Sequence, residues 1–122
     1  RPAKAYLLLY QSGDIPQETK GQTPNQLRPL FKKNKWDGLT LPEYLVLQRV
    51  EAEKRKNHSF DAYSTSGAAS NWTWLLDTNI TPSKVVYASW NPDNRRVRVG
   101  WGDSDASYSS LGARPVVVVE IL

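Results

Sequence analysis

VVYASWNPDNRRVRVGWGDSDASYSSLGARPVVVVEIL, from Val85 to Leu122, decides how this chain is read. Two Trp-containing runs, Val85 to Trp90 and Arg96 to Trp101, flank Asn91-Pro92-Asp93-Asn94. Proline suits the second position of a turn, and Asp and Asn tolerate turn backbones, so the two runs are predicted to form a hairpin. Small polar residues follow. Pro115 then opens a β-branched run, Val116 to Val119, of the kind that belongs inside a sheet. Trp90, Trp101, Leu111 and the closing strand are expected to form a rigid frame. The Tyr, Ser, Gly, Asp and Ala residues between them would be a surface carried on that frame, and chemistry carried in this way usually meets another molecule.

Upstream, Trp72, Trp74 and Leu76 alternate with Thr73 and Leu75, as in a largely buried strand. Ala5 to Gln11 is a short apolar and aromatic run closed by Ser12, Gly13 and Asp14, which predicts another buried strand. Thr23 and Pro24 read as an N-cap and first-turn proline. Pro29 inside that helix removes a backbone hydrogen bond, so a short or kinked helix ending near Trp36 is expected, with Asp37 and Gly38 as its stop. Thr40-Leu41-Pro42-Glu43 is a capping box that predicts a second helix over Leu41 to Arg55. Its expected apolar face is Leu41, Tyr44, Leu45, Leu47 and Val50, and Lys54, Arg55 and Lys56 complement its negative end. Asn57 to Ser70 reads as a loop. Helices early and strands late give an α+β domain. The two most apolar strands lie at the ends of the chain, and pairing them would make the rest one long excursion from a closed base.

At 122 residues the chain is the size of one domain and can bury a real core. It has no Cys, which excludes disulfides and thiolate metal sites and leaves stability to packing. No apolar run reaches the length of a membrane span. Residues 1–60 carry a net charge of +5 and residues 61–122 a net charge of −1, so the basic excess lies with the helices, where a solvated face explains it.

The order of terminal strand, two helices, the WTWLL strand at Trp72 to Leu76, the SWNPDNRRVRVGW hairpin and LGARPVVVV resembles the C-type lectin-fold variable proteins of diversity-generating retroelements, of the compact archaeal kind. The resemblance spans most of the chain, with specific motifs only in its last third. In that family, error-prone reverse transcription replaces template adenines, mostly in AAC-type Asn codons, and the substitutions fall on a ligand-binding surface. Such codons cannot become Lys, Glu, Gln, Met or Trp. From Tyr87 to Ser110 this chain has no Lys, Glu, Gln or Met, and its Trp residues there are Trp90 and Trp101. On this composition the absence of Lys, Glu and Gln has a random chance of about one in fifty, although strands and turns also disfavour these helix formers.

Carried over position by position, the resemblance implies a varied, ligand-binding set drawn from Tyr87, Ser89, Arg98, Gly100, Gly102, Asp103, Ser104, Asp105, Ala106, Ser107, Tyr108, Ser109 and Ser110. Trp90, Trp101, Leu111, Gly112, Arg114 and Pro115 would be the frame. It further implies binding without catalysis or cofactor, a protein or cell-surface ligand, a monomer, and a cell-surface or secreted location. Tyr87 and Tyr108 would supply flat amphipathic contact area, and Ser, Asp and Gly adaptable polar contacts.

Other readings compete. Calcium-dependent sugar binding would draw on Asn91, Asp93 and Asn94, but the acidic-Pro-Asn or Gln-Pro-Asp triplet is missing and a hard cation needs several converging oxygens. The formylglycine-generating enzymes of the same broad fold depend on Cys. A triad of His58, Asp61 and a Ser has no nucleophile motif behind it. Nucleic acid would be met by Lys32, Lys33 and Lys35, or by Arg95, Arg96 and Arg98 beside Trp90 and Trp101. Arg96 and Arg98 share one face of their strand, where Arg also protects an edge. Asn57, Asn71 and Asn79 begin glycosylation sequons, a short pattern that chance produces often.

Overall fold

The computed structural model describes residues 1, 5–56, 60–62 and 71–121. Among these, the order is β1 (Tyr6–Tyr10), α1 (Pro24–Asn34), α2 (Leu41–Arg55), β2 (Trp72–Thr81), β3 (Lys84–Asn91), β4 (Arg96–Asp103), β5 (Leu111–Ala113) and β6 (Val116–Glu120). The chain is α+β, with one two-stranded and one four-stranded sheet. β1 and β6 pair antiparallel from Tyr6↔Glu120 to Tyr10↔Val116, so the terminal strands close on each other. The larger sheet has the order β4-β3-β2-β5, antiparallel except where β5 runs parallel to β2.

Successive side chains of a strand point to opposite faces, and the four-stranded sheet uses both. Trp74, Leu76, Val85, Leu111 and Ala113 pack with Leu27 and Phe31 of α1. Leu75, Val86 and Ala88 pack with Tyr44 and Leu47 of α2, and the terminal strands add Val116, Leu8 and Tyr10 to this second cluster.

Both helices begin with complete capping boxes. Thr23 Oγ1 accepts from the Gln26 N–H at 3.1 Å while Gln26 Oε1 accepts from the Thr23 N–H at 2.9 Å, and Thr40 with Glu43 repeats the exchange. α1 runs unbroken through Pro29, which lies on the exposed side with Asn25, whose carbonyl the proline leaves without its usual helical partner. Its stop is Lys35, in the left-handed region at φ 56°, rather than Asp37 and Gly38. Asp37 instead bridges to Val116, and Gly38 is buried where a Cβ would lie 2.6 Å from Leu76 Cβ. The β3–β4 turn falls as expected, with Asn91 Oδ1 accepting from the Asp93 N–H at 2.9 Å.

The inward face of α2 differs from the expected one. Leu45 and Val50 are exposed, while Glu43, Tyr44, Leu47, Gln48 and Glu51 are buried. The polar members are buried because each finds a partner. Glu43 receives hydrogen bonds from Arg1 Nε (2.8 Å) and Tyr6 OH (2.6 Å), and Glu51 from Tyr10 OH (3.0 Å) and Ser12 Oγ (3.2 Å). Gln48 donates to Tyr44 OH and the Phe60 carbonyl, both at 2.9 Å. Burial alone would raise the Glu43 pKa, but the bonds from Arg1, Tyr6 and the Thr40 N–H outweigh it and hold it at about 2. The terminal strands also differ from their expected burial. With only each other as sheet partners they bury one face, leaving Leu7, Leu9, Val117 and Val119 exposed.

Candidate functional site

A buried polar cluster centres on Asp61, ahead of β2. Asp61, 1% exposed, accepts from Arg114 Nη2 at 2.6 Å, Thr73 Oγ1 at 2.5 Å and Tyr44 OH at 2.9 Å. The Arg114 guanidinium also stacks 4.0 Å from the Phe60 ring centroid. Burial and the neighbouring Asp61 charge hold the Tyr44 hydroxyl well above its ordinary pKa, so it remains a donor. This ties Asp61 to Arg114, the residue that follows β5. His58 lies outside the described residues, and Asp61 is committed to this cluster.

The predicted ligand-binding set divides on the structure. Asp103, Asp105, Ser107, Tyr108 and Ser109 are exposed, and Ser104, Ala106 and Ser110 partly so, along the connection from β4 to β5. That connection is pinned at both ends. The Ser104 N–H donates to the Ser83 carbonyl at 2.9 Å and the Asn25 N–H to the Ser104 carbonyl at 3.0 Å; Asn25 Nδ2 reaches Asp105 Oδ1 at 2.6 Å. At the far end the Trp72 N–H donates to the Ser110 carbonyl at 3.0 Å.

Three rings line one pocket beside that second anchor. Trp72 and Tyr87 stand edge to face with centroids 4.7 Å apart, and Tyr108 comes from the connection. With Ser110 and Leu111 these rings line, among the described residues, a pocket of about 220 Å³. Arg98 places its guanidinium 5.6 Å from the Trp72 ring centroid. Tyr87, Arg98, Tyr108 and Ser110 are therefore brought together from three segments of the chain.

Other members of the set are not presented in this way. Ser89 is fully buried, and Gly102 is buried where a Cβ would lie 2.9 Å from Trp74 Cη2. At Gly100 a Cβ would meet the Tyr87 ring at 2.8 Å, so the Tyr87 ring occupies the space a side chain there would need. The expected frame also needs correction. Trp101 is 49% exposed, with Lys84 Nζ 4.5 Å from its ring centroid, because its side of β4 extends beyond the core.

Trp72 and Leu111 were missed as site residues. The alternation around Trp72 groups it with the buried Trp74, and only the parallel pairing Trp72↔Leu111 shows that both stand at the sheet's end, open to the pocket. That pairing joins residues distant in sequence and leaves no local signal.

A larger open cleft of about 1020 Å³ lies between α2 and the β3–β4 turn, lined by residues that include Gln48, Arg49, Glu53, Trp90 and Arg95. No member of the predicted set lines it, and Arg49 and Glu53 pair with each other at 3.5 Å. Among the described residues no three His, Cys, Asp or Glu side chains gather to hold a metal, and no helix is long and apolar enough to cross a membrane. No protein-family model matches the chain, and no match was found among curated proteins or solved structures.

Proposed function

We propose that this chain is a ligand-binding protein of the C-type lectin fold whose surface within Tyr87 to Ser110 is diversified by a retroelement, with binding and no catalysis as its activity. The observation that carries the reading is the sharp boundary at Leu111. Residues reachable from Asn codons, Tyr87, Arg98, Tyr108 and Ser110, cluster around one pocket, and the four residues from Leu111 to Arg114 behind them are all buried. A surface that changes freely needs that separation, because its substitutions must not reach the core, and the buried Ser89 and Gly102 therefore fall outside the proposed surface. The paired terminal strands, two helices and mixed second sheet agree with the lectin-like plan. Main-chain pinning of the β4–β5 connection would limit the ordering cost of binding.

The test is to sequence the surrounding locus for a near-copy of the codons for Tyr87 to Pro115 beside a reverse transcriptase, differing mainly at template adenines. Its presence would establish diversification. Its absence would leave a lectin-like module of fixed specificity, to be measured against glycans with and without calcium.

A further inference from the structure

We propose that the pocket between Trp72, Tyr87 and Tyr108 receives a single uncharged aromatic ring, presented as a Phe, Tyr or Trp side chain of a protein ligand. This deepens the reading above and rests on it in taking this surface as the one that faces the ligand.

Size sets the first limit. An apolar cavity of about 150 Å³ admits benzene, and this pocket offers about 220 Å³. One ring enters, phenol or indole included, while a helix or strand does not. The walls set the second limit. Trp72 and Tyr87 stand at 73° to each other, so the pocket has two aromatic walls of different orientation, and a further ring can pack edge to face or offset against them. Tyr108, 56% exposed, supplies a third ring from a different segment, and Leu111, 2% exposed, contributes an aliphatic side chain that the fold holds in place.

Polarity sets the third limit. Among the described residues the lining contains neither a charged nor an amide side chain, and its polar side-chain groups are the hydroxyls of Ser110, Tyr87 and Tyr108 and the indole N–H of Trp72. The Arg98 guanidinium, 5.6 Å from the Trp72 ring centroid, is not part of this lining, so a carboxylate carried into the pocket would meet only neutral donors there and an ammonium would meet no opposite charge. A pyranose would bring more hydroxyls than this lining can satisfy, whereas a phenol or indole brings one donor. Trp72 and Leu111 lie outside the predicted varied set and are paired across β2 and β5, so this part of the pocket is preformed and would stay when the rim changes. Trp72 thereby becomes a specificity-determining residue.

The probe is p-cresol, titrated into the ¹⁵N-labelled full chain while the indole N–H signals are followed, with that of Trp72 assigned from Trp72→Phe. A saturable shift of the Trp72 signal, with a Kd on the order of millimolar, is expected. Ser110→Trp, which fills the pocket, should abolish it, and Trp101→Ala, which removes an exposed ring elsewhere, should leave it unchanged. If Ser110→Trp does not fold, Tyr108→Ala serves instead, with at least fivefold weaker binding expected.

No saturable shift would overturn the proposal. So would a shift that survives pocket filling or loss of Tyr108, or equal saturation by methyl β-glucoside. The titration does not depend on the locus. A ring-binding pocket without a template copy would refute diversification alone, and a template copy without ring binding would refute the pocket alone.

Discussion

Ser107 to Ser110 and Leu111 to Arg114 are neighbours in sequence with opposite surroundings. The first four are exposed or partly exposed, with Tyr108 at 56%; the second four are buried, with Ala113 at 1% and Arg114 at 4%. Hydrophobicity does not divide them, since a large ring is outside and a guanidinium is inside. Partners do. Leu111 to Ala113 pair with β2 and Arg114 finds Asp61, whereas Ser107 to Ser109 lie in no strand. Adjacent residues can therefore meet different demands, one stretch packed into the fold and the other facing solvent.

Arg114→Ala should break the comparison most severely, because it leaves the Asp61 carboxylate buried without its counter-charge. A loss of about 3–5 kcal/mol is expected from urea unfolding; a loss below about 1 kcal/mol would mean that the pair does not hold this end of the sheet. Gly112→Ala comes next, since its Cβ would sit 2.6 Å from Ile15 Cγ2 and 2.9 Å from Thr19 Oγ1, both in a closed core. About 1–3 kcal/mol should be lost. Gly100→Ala places its Cβ nearest the outer end of the partly exposed Tyr87 ring, a side chain that can shift more readily than the closed surroundings of Gly112. It should lose less than Gly112→Ala in the same assay and displace the Tyr87 resonances, and equal losses would erase the distinction between frame and rim.

Acid should weaken the frame at its other end. The Glu43 pKa is depressed from 4.5 to about 2, so its contribution is complete above about pH 4.5 and disappears as pH falls through about 2. Glu51 is depressed too and acts in the same sense. Glu43→Gln should flatten the stability profile of the wild-type chain across that window, and identical profiles would assign acid sensitivity to other groups. The smallest effect on stability belongs to Tyr108→Ala, within about 0.5 kcal/mol, with ligand choice altered. A large fall in melting temperature would place Tyr108 in the core after all.

Local chemistry made much of this architecture readable beforehand. The Thr40 capping box located α2 at Leu41 and Arg55, the Asn91 to Asn94 turn located the hairpin, and the apolar run at each end anticipated β1 with β6. What escaped reading depends on contacts between distant residues. Helical period alone could not show that Glu43 and Glu51 would turn inward in place of Leu45 and Val50, because the hydroxyls of Tyr6 and Tyr10 that receive them are about forty residues away. The Asp61 and Arg114 pair is 53 residues apart. Within the candidate site, Tyr87, Arg98, Tyr108 and Ser110 were named only through the family resemblance, and the burial of Ser89 and the opening beside Trp72 follow from sheet packing.

The pairing of Tyr6 with Glu120 has a practical consequence. Two positions at opposite ends of the numbering lie side by side across one ribbon, so the fold can be spliced into a surface loop of a carrier protein without forcing the carrier's two cut ends apart. Circular permutation through a short linker joining the same ends follows from the same geometry, and either format would let libraries of altered rims be screened on one host.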